Sequence, residues 1–411
     1  LKHLSEAVSN KKHAGINPGS WVWLLVLFTA GSFMETVFYG QLTAFTPLYL
    51  PYLGVQPDQV ARWIGIIAAV SGILGLPFLP FWGALADRFS RKPIIIRSFV
   101  LHLTAGAAAI LAGNIWVFLL ARSISSLSLG NSGLMMTTLS ERAPANRQGL
   151  AFSIMNSASQ IGGFIGPLVG GPIVDHWGFR TLIGIDTFLM LAVVLSLVFG
   201  YHDLFRGKLT QPILRMAGDS VKILMNSSHL KALFPALFFL FAGSMLARTY
   251  IPLAISKVYP VQDINTIIGI ILGAGGLLAI FVSPGMGALA DRFGHWKMLF
   301  IGAIVQVFLW PLPAFTHNLF TFGAAWALIS GIGAGVFAIS FTVLSNSTTS
   351  DVRGRVMSFA YLPVNVGMII GPSIGAVIAR GSVLNIFPAA AVLTAVGVGM
   401  LAAAWREAAP A

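Results

Sequence analysis

Gly83-Ala84-Leu85-Ala86-Asp87-Arg88-Phe89 is repeated residue for residue as Gly287-Ala288-Leu289-Ala290-Asp291-Arg292-Phe293, 204 positions later in a chain of 411. Other pairs keep that register: Ile64-Gly65-Ile66 recurs as Ile268-Gly269-Ile270 at the same offset, and Gly166-Pro167 as Gly371-Pro372 at 205. Three aligned pairs in one register make the chain a duplicated half.

The composition sets the solvent. Hydrophobic residues make up 56% of the chain and charged residues 9%, against roughly 25% charged in soluble domains. In lipid the backbone must satisfy its own hydrogen bonds, so apolar runs of about 20 residues have to be helices. Twelve such runs are read near 21–50, 61–86, 94–112, 114–138, 149–175, 181–200, 232–256, 265–290, 298–315, 319–345, 356–379 and 383–404. The sequence therefore predicts an all-α integral membrane protein of two six-helix bundles, residues 1–200 and 232–411, joined by a polar linker at 201–231. Internal symmetry in so apolar a chain points to secondary transport.

The net charge of +12 reports topology here, not a nucleic-acid partner. Nineteen of the 25 Lys and Arg fall in loops on the side of the two termini, against Arg62, Arg180, Lys257 and Arg380 on the other side. The positive-inside rule then puts both termini in the cytoplasm. The first apolar run continues as a span, so no cleavable leader is expected, and an initiator Met is expected ahead of Leu1. The linker carries five basic residues, which suit either a surface helix lying on anionic lipid or a tether whose charge only enforces orientation. There is no cysteine, hence no disulfide or thiolate chemistry. No Gly-x-x-x-x-Gly-Lys-Ser/Thr loop and no His-x-x-x-His or paired catalytic carboxylates occur, so an ATP-driven pump, an embedded enzyme, a resident metal and a cofactor are not expected.

The loop Gly83 to Pro93, with Asp87-Arg88 four and five residues past the glycine and a basic pair at Arg91-Lys92, resembles the cytoplasmic signature of the major facilitator superfamily; the second copy runs from Gly287 to Lys297. The resemblance covers essentially the whole chain. It implies a latch on the cytoplasmic side: Asp87 against the start of the eleventh helix at Arg353-Gly354-Arg355, and Asp291 against the start of the fifth at Asn146 to Gly149. Arg88, Arg91 and Arg292 belong to the same gate, which would close the cytoplasmic side in the outward-open state.

Within the fifth run, Gly162, Gly166 and Gly170 lie four apart and form one smooth face; with Pro167 and Gly171 they resemble the antiporter motif of the drug:proton antiporters in that superfamily. The eleventh run has Gly367, Gly371-Pro372 and Gly375, but Ala376 where the last glycine would stand. In the fourth run Arg122 is followed by Ser125 and Ser126, not by the Gln and Gly common in drug antiporters.

An ionisable residue inside a span costs about 2.5–3.5 kcal/mol on insertion scales unless paired or wet. Glu35 and Arg122 come out at nearly the same depth when counted at 1.5 Å per residue. The expectation is an ion pair on the cavity wall, with Glu35 as the proton carrier and Asp186 as second choice. His102, on a helix not expected to face the cavity, reads as a packing residue. The resemblance places the first, fourth, seventh and tenth helices around the cavity. Phe38, Tyr39 and Gln41, then Phe241, Arg248 and Tyr250, then Phe337 and Phe341, and finally Tyr361 and Asn365 are its expected lining. The expected function is a proton-coupled, alternating-access exporter of lipophilic or amphipathic small molecules. It would act as a monomer among membrane lipids in a bacterial inner membrane; a lipid flippase and a sugar or metabolite transporter are the alternatives.

Overall fold

The computed structural model describes residues 20–76, 85, 90–128, 131–203, 227–347 and 362–408, and every regular element among them is helical. In chain order these are α1 Trp21–Tyr49, α2 Val60–Gly75, α3 Arg91–Leu111, α4a Ile115–Ser126, α4b Asn131–Arg142, α5 Gln148–Trp177, α6 Phe179–Gly200, α7 Ser228–Val258, α8 Ile264–Phe293, α9 His295–Leu309, α10 Leu319–Asn346, α11 Leu362–Ile378 and α12 Ile386–Ala408. Among the described residues, eight segments (α1, α3, α6 to α10 and α12) are long and apolar enough to cross a membrane. Most of the linker, 204–226, lies outside the described residues.

Helix starts follow local chemistry. Asn114 accepts from the backbone N–H of Trp116 and Val117 at 3.0 Å each; its counterpart 204 residues on, Asn318, accepts from Thr321 N–H at 2.8 Å. The repeat thus extends to the caps. The third helix begins at Arg91, three residues before the predicted 94, because Asp203 caps it: its Oδ2 accepts from Ser90 Oγ at 2.6 Å, Arg91 N at 2.8 Å and Lys92 N at 3.0 Å. Pro93 is tolerated there because the first helical turn needs no intrahelical donor.

The fourth span departs from the continuous helix expected over 114–138. After Ser126 the backbone tightens into i→i−3 bonds, Leu127 N to Ile124 O and Ser128 N to Ser125 O at 3.2 Å each, and a new helix starts at Asn131. At membrane depth such a break persists only where protein surrounds it; here it lies against α1 and α3.

Within each half the glycine faces seat neighbouring helices. α5 lies on α1 and α11 on α7. A Cβ on Gly166 would stand 2.9 Å from Val37 O, and one on Gly371 2.7 Å from Ala242 O. Between halves, α5 packs on α8 and α11 on α2, at the end of the bundle opposite the chain termini, called distal below. One core cluster runs through both halves at that end, joining Ile64 to Tyr250 and Ile268; the second cluster, from Leu230 to Ala404, belongs to the C-terminal half alone. The close approaches between halves reach from Asp175 and Asn265 down to Phe164 against Gly276. Further toward the termini, Gly149, Gly285 and Gly287 face open space.

Candidate functional site

Glu35 is the central residue of α1, 14 positions from either end of Trp21–Tyr49, and a polar cluster surrounds it. His102 Nε2 lies 3.2 Å from Oε1, and Asn131 Nδ2 donates to Oε2 at 2.9 Å. Behind the imidazole, Nδ1 is 3.1 Å from Ser125 Oγ, and Ser128 Oγ is 2.8 Å from Nε2. Ser128 gives its own hydrogen to Ser125 O at 2.7 Å, so it meets Nε2 with a lone pair. With the carboxylate ionised, Nε2 therefore carries the hydrogen and Nδ1 accepts from Ser125. Phe38 closes the cluster edge-on, its ring centroid 5.6 Å from that of the imidazole.

The break in the fourth span makes this arrangement possible. Ser125 and Ser128 end one helix and Asn131 begins the next, so three polar groups reach one spot, whereas a continuous helix would stagger them over about 9 Å along its axis. The pair can take up one proton, passing from imidazole and carboxylate to imidazolium and carboxylate, without leaving a free charge in an apolar surround.

Two expectations are corrected here. Glu35 pairs with His102 and not with Arg122, which lies one turn further toward the distal end, at the level of Tyr39. His102 is buried but is no mere packing residue, because its ring spans from α3 to the acid on α1. The signal available in sequence was the run Ser123, Ser125, Ser126, Ser128, Asn131, whose polarity no lipid-facing span would carry. Arg122 lies over the Tyr39 ring, 5.8 Å from its centroid, and its Nε is buried without a hydrogen-bond partner. Asp186 is 2% exposed in α6, and its Oδ2 has no partner among the described residues.

Of the expected cavity lining, Tyr39 on α1, 43% exposed, and Arg248 on α7 meet open space. Phe38, Gln41, Phe241 and Tyr250 do not, for each is buried. Gln41 Nε2 donates to Gly166 O at 3.0 Å, tying α1 to the glycine helix. Phe241 and Phe337 lie 5.4 Å apart, and Phe337 and Phe341 4.9 Å apart, as packing of the C-terminal half. Tyr250 belongs to the distal seal, its hydroxyl 2.7 Å from Pro372 O and 3.1 Å from Ala61 O. Asn365 is half-buried on α11, and Tyr361 lies outside the described residues.

The antiporter-type motif divides its work. Gly162, Gly166 and Gly170 face Phe33, Val37 and Gln41 of α1, while Gly171 faces Asn265 O of α8, 2.5 Å from where a Cβ would be. Pro167 supplies no N–H, and its freed partner, Gly163 O, is met by Gly40, whose missing Cβ would stand 2.9 Å away. In the C-terminal copy the small residue has changed sides: the Ala376 methyl packs on Gly65, 2.6 Å from its would-be Cβ. One turn beyond Gly171, Asp175 holds the first turn of α8, accepting from Thr266 N and Oγ1 at 2.7 Å each, Asn265 Nδ2 at 2.7 Å and Asn265 N at 3.2 Å. The carboxylate satisfies orphan N–H groups at the positive end of the helix dipole.

At the opposite end, Gly83, Asp87, Arg88, Arg353 and Arg355 lie outside the described residues. Arg91 is buried in a bidentate pair with Glu141 at 2.6 and 2.8 Å, within its own half. Gly287 faces open space. Asp291, 77% exposed, meets His295 at 3.0 Å and not the start of the fifth helix, and Arg292 stacks on Phe293.

Solved structures share this architecture. A bacterial homologue of the human lysosomal transporter Spinster, in an inward-facing and occupied conformation, superposes with a TM-score of 0.77 at 14% identity, covering 96% of this chain and 98% of that one. A D-xylose–proton symporter gives 0.76 at 14% identity, covering 94% and 98%. At such identities the likeness is one of fold. Among curated proteins, the multidrug resistance protein MdtG of Klebsiella pneumoniae (strain 342) is 27% identical over 372 residues, 87% of each chain, and that of Enterobacter lignolyticus (strain SCF1) is 27% identical over 365 residues, 87% of this chain and 86% of that one. A family model described as the Major Facilitator Superfamily matches residues 27–309 and 233–411. With a family model matched over both halves of a duplicated, helical membrane chain, the protein belongs to the Major Facilitator Superfamily of membrane transporters.

Proposed function

We propose that this transporter is a proton-coupled exporter of lipophilic or amphipathic small molecules, working by alternating access. The observation that carries the reading is the Glu35–His102 cluster, a proton-accepting pair at the centre of α1, the helix on which the glycine face of α5 rests. The same α5 packs on α8 of the other half, so proton uptake on α1 is one helix away from the contact between the halves. The relatives named multidrug resistance proteins support an efflux role. The proton gradient is the energy source, and no resident cofactor is needed. The Lys and Arg distribution supports cytoplasmic termini and the bacterial relatives support a bacterial inner membrane, which would make the distal seal the outer gate. The halves are residues 1–200 and 232–411, with 201–231 a cytoplasmic tether, and the protein works as a monomer in contact with lipid.

The test is transport by purified protein in liposomes carrying an internal pH dye. Glu35→Gln is expected to abolish pH-driven uphill movement while substrate binding and downhill exchange persist. Full pH-driven transport by that variant would remove Glu35 from the coupling step.

A further inference from the structure

Two cations at membrane depth lack the partner such charges require. Arg122 lies about 12 Å from the start of its helix, counting eight residues from the Asn114 cap, and Arg248 about 15 Å from the end of α7 at Val258. Tyr39, ten residues before the end of α1, comes to the same level. Arg122 covers its ring, and α7, the helix of Arg248, packs against α1. Arg248 is exposed at that depth on α7, a helix packed against α1, α11 and α12. Two residues further along α7, Tyr250 closes the distal seal.

None of the carboxylates in the described spans pairs with either arginine. Glu35 is held by His102 and Asn131, and Asp175 by the start of α8. Asp186 is buried within α6 and forms no ion pair among the described residues. Neither Arg122 nor Arg248 has a carboxylate or any hydrogen-bond acceptor among the described residues, and Arg122 Nε is a buried donor with nothing to donate to. Buried charge is kept only where something pairs with it at some point in the working cycle. A lipophilic cation entering this space would face two like charges.

We propose that the transported molecules carry an anionic head group (sulfonate, phosphate or carboxylate) on an apolar body, with the head group held between Arg122 and Arg248 beside Tyr39. This deepens the export reading and rests on it for the movement, but not for the binding. One guanidinium comes from each half, so a bound anion joins the halves at the level of Tyr250. Loading the site therefore bears directly on the distal gate.

The experiment uses the full chain in phosphatidylcholine nanodiscs, with decyl sulfonate and decyltrimethylammonium below their micellar concentrations as matched probes. The sulfonate is expected to bind and the ammonium not to. Arg122→Gln and Arg248→Gln are each expected to weaken sulfonate binding about 10- to 100-fold, the range for a hydrogen bond to a charged group. Arg→Lys at either site should restore most of it, and monodispersity and thermal unfolding report whether each variant is folded. Equal binding of the two probes, or unchanged sulfonate binding by folded Arg→Gln variants, overturns the proposal. In proteoliposomes the two readings separate. Sulfonate binding without any proton movement leaves the anion site standing and removes proton coupling; ammonium-evoked proton movement that ignores both arginines keeps the transport reading and removes the anion site. Displacement of the sulfonate by lysophosphatidylglycerol marks a membrane lipid as the source of the anion, and lack of displacement marks a soluble compound; both outcomes retain the arginine pair.

Discussion

Asp175→Ala isolates the contact that holds the distal ends of the halves together. In the structure its carboxylate takes four donors from Asn265 and Thr266, and all four are lost when the two halves part. Because Asp175 is only half-buried, each bond is assigned the low end of its range, about 0.5 kcal/mol, for a sum near 2 kcal/mol. At about 1.4 kcal/mol per factor of ten, the ratio of distally open to distally closed protein should rise about 30-fold. Asp175→Asn, which keeps one acceptor oxygen and loses the charge, should give an intermediate rise. The chain has no cysteine, so single cysteines at the exposed Trp177 and Asp263 can be spin-labelled without background. The readout is the population of long distances between them by pulsed electron resonance. A change of less than about threefold in Asp175→Ala would mean that the glycine contacts alone hold the seal, and the sum above would be refuted.

Other outcomes follow from the same geometry. His102→Gln can still hydrogen-bond Glu35 but cannot take a proton; it should retain substrate binding, lose proton-driven accumulation and flatten the dependence of transport on pH, whereas an unchanged pH profile would make His102 structural. Gly65→Val sets a branched side chain against the Ala376 methyl and should shift the same distance distribution toward the open form; Ala376→Gly in the same chain should reverse part of that shift, and no reversal would separate the two residues. Asp203→Ala strips the cap of α3 and should cost about 1–2 kcal/mol, read as earlier thermal unfolding in detergent with transport kept at low temperature; unaltered unfolding would show that Ser90 and solvent suffice.

Much of the architecture was open to reading because lipid allows few solutions. Apolar runs must be helices, and the offset of 204 carried the helix caps and interface glycines along with it. The glycine face of α5 was legible for the same reason, since four-residue spacing admits only one helical face. Side-chain partners were not legible. Depth along the membrane normal is counted from a helix end, and rotation about a helix axis accumulates about 100° per residue and is set by packing. α1 is 29 residues long, more than the core is thick, so counting from Trp21 sets Glu35 about one turn too high, at the level of Tyr39, which Arg122 covers. The break after Ser126 escaped notice because Leu127 and Leu129 preserve the hydropathy of the run, and without the break Asn131 has no route to Glu35.

Ala376 against Gly65 bears on how such a protein can be taken apart and rebuilt. The two halves descend from one sequence, yet the methyl tolerated on α11 sits opposite a glycine, whereas Gly171 of α5 sits opposite backbone at Asn265. Grafting the α11 segment into the α5 position would thus force an alanine onto a carbonyl. For chimeras, the unit of exchange is neither the helix nor the half but the facing pair, α5 with α8 or α11 with α2.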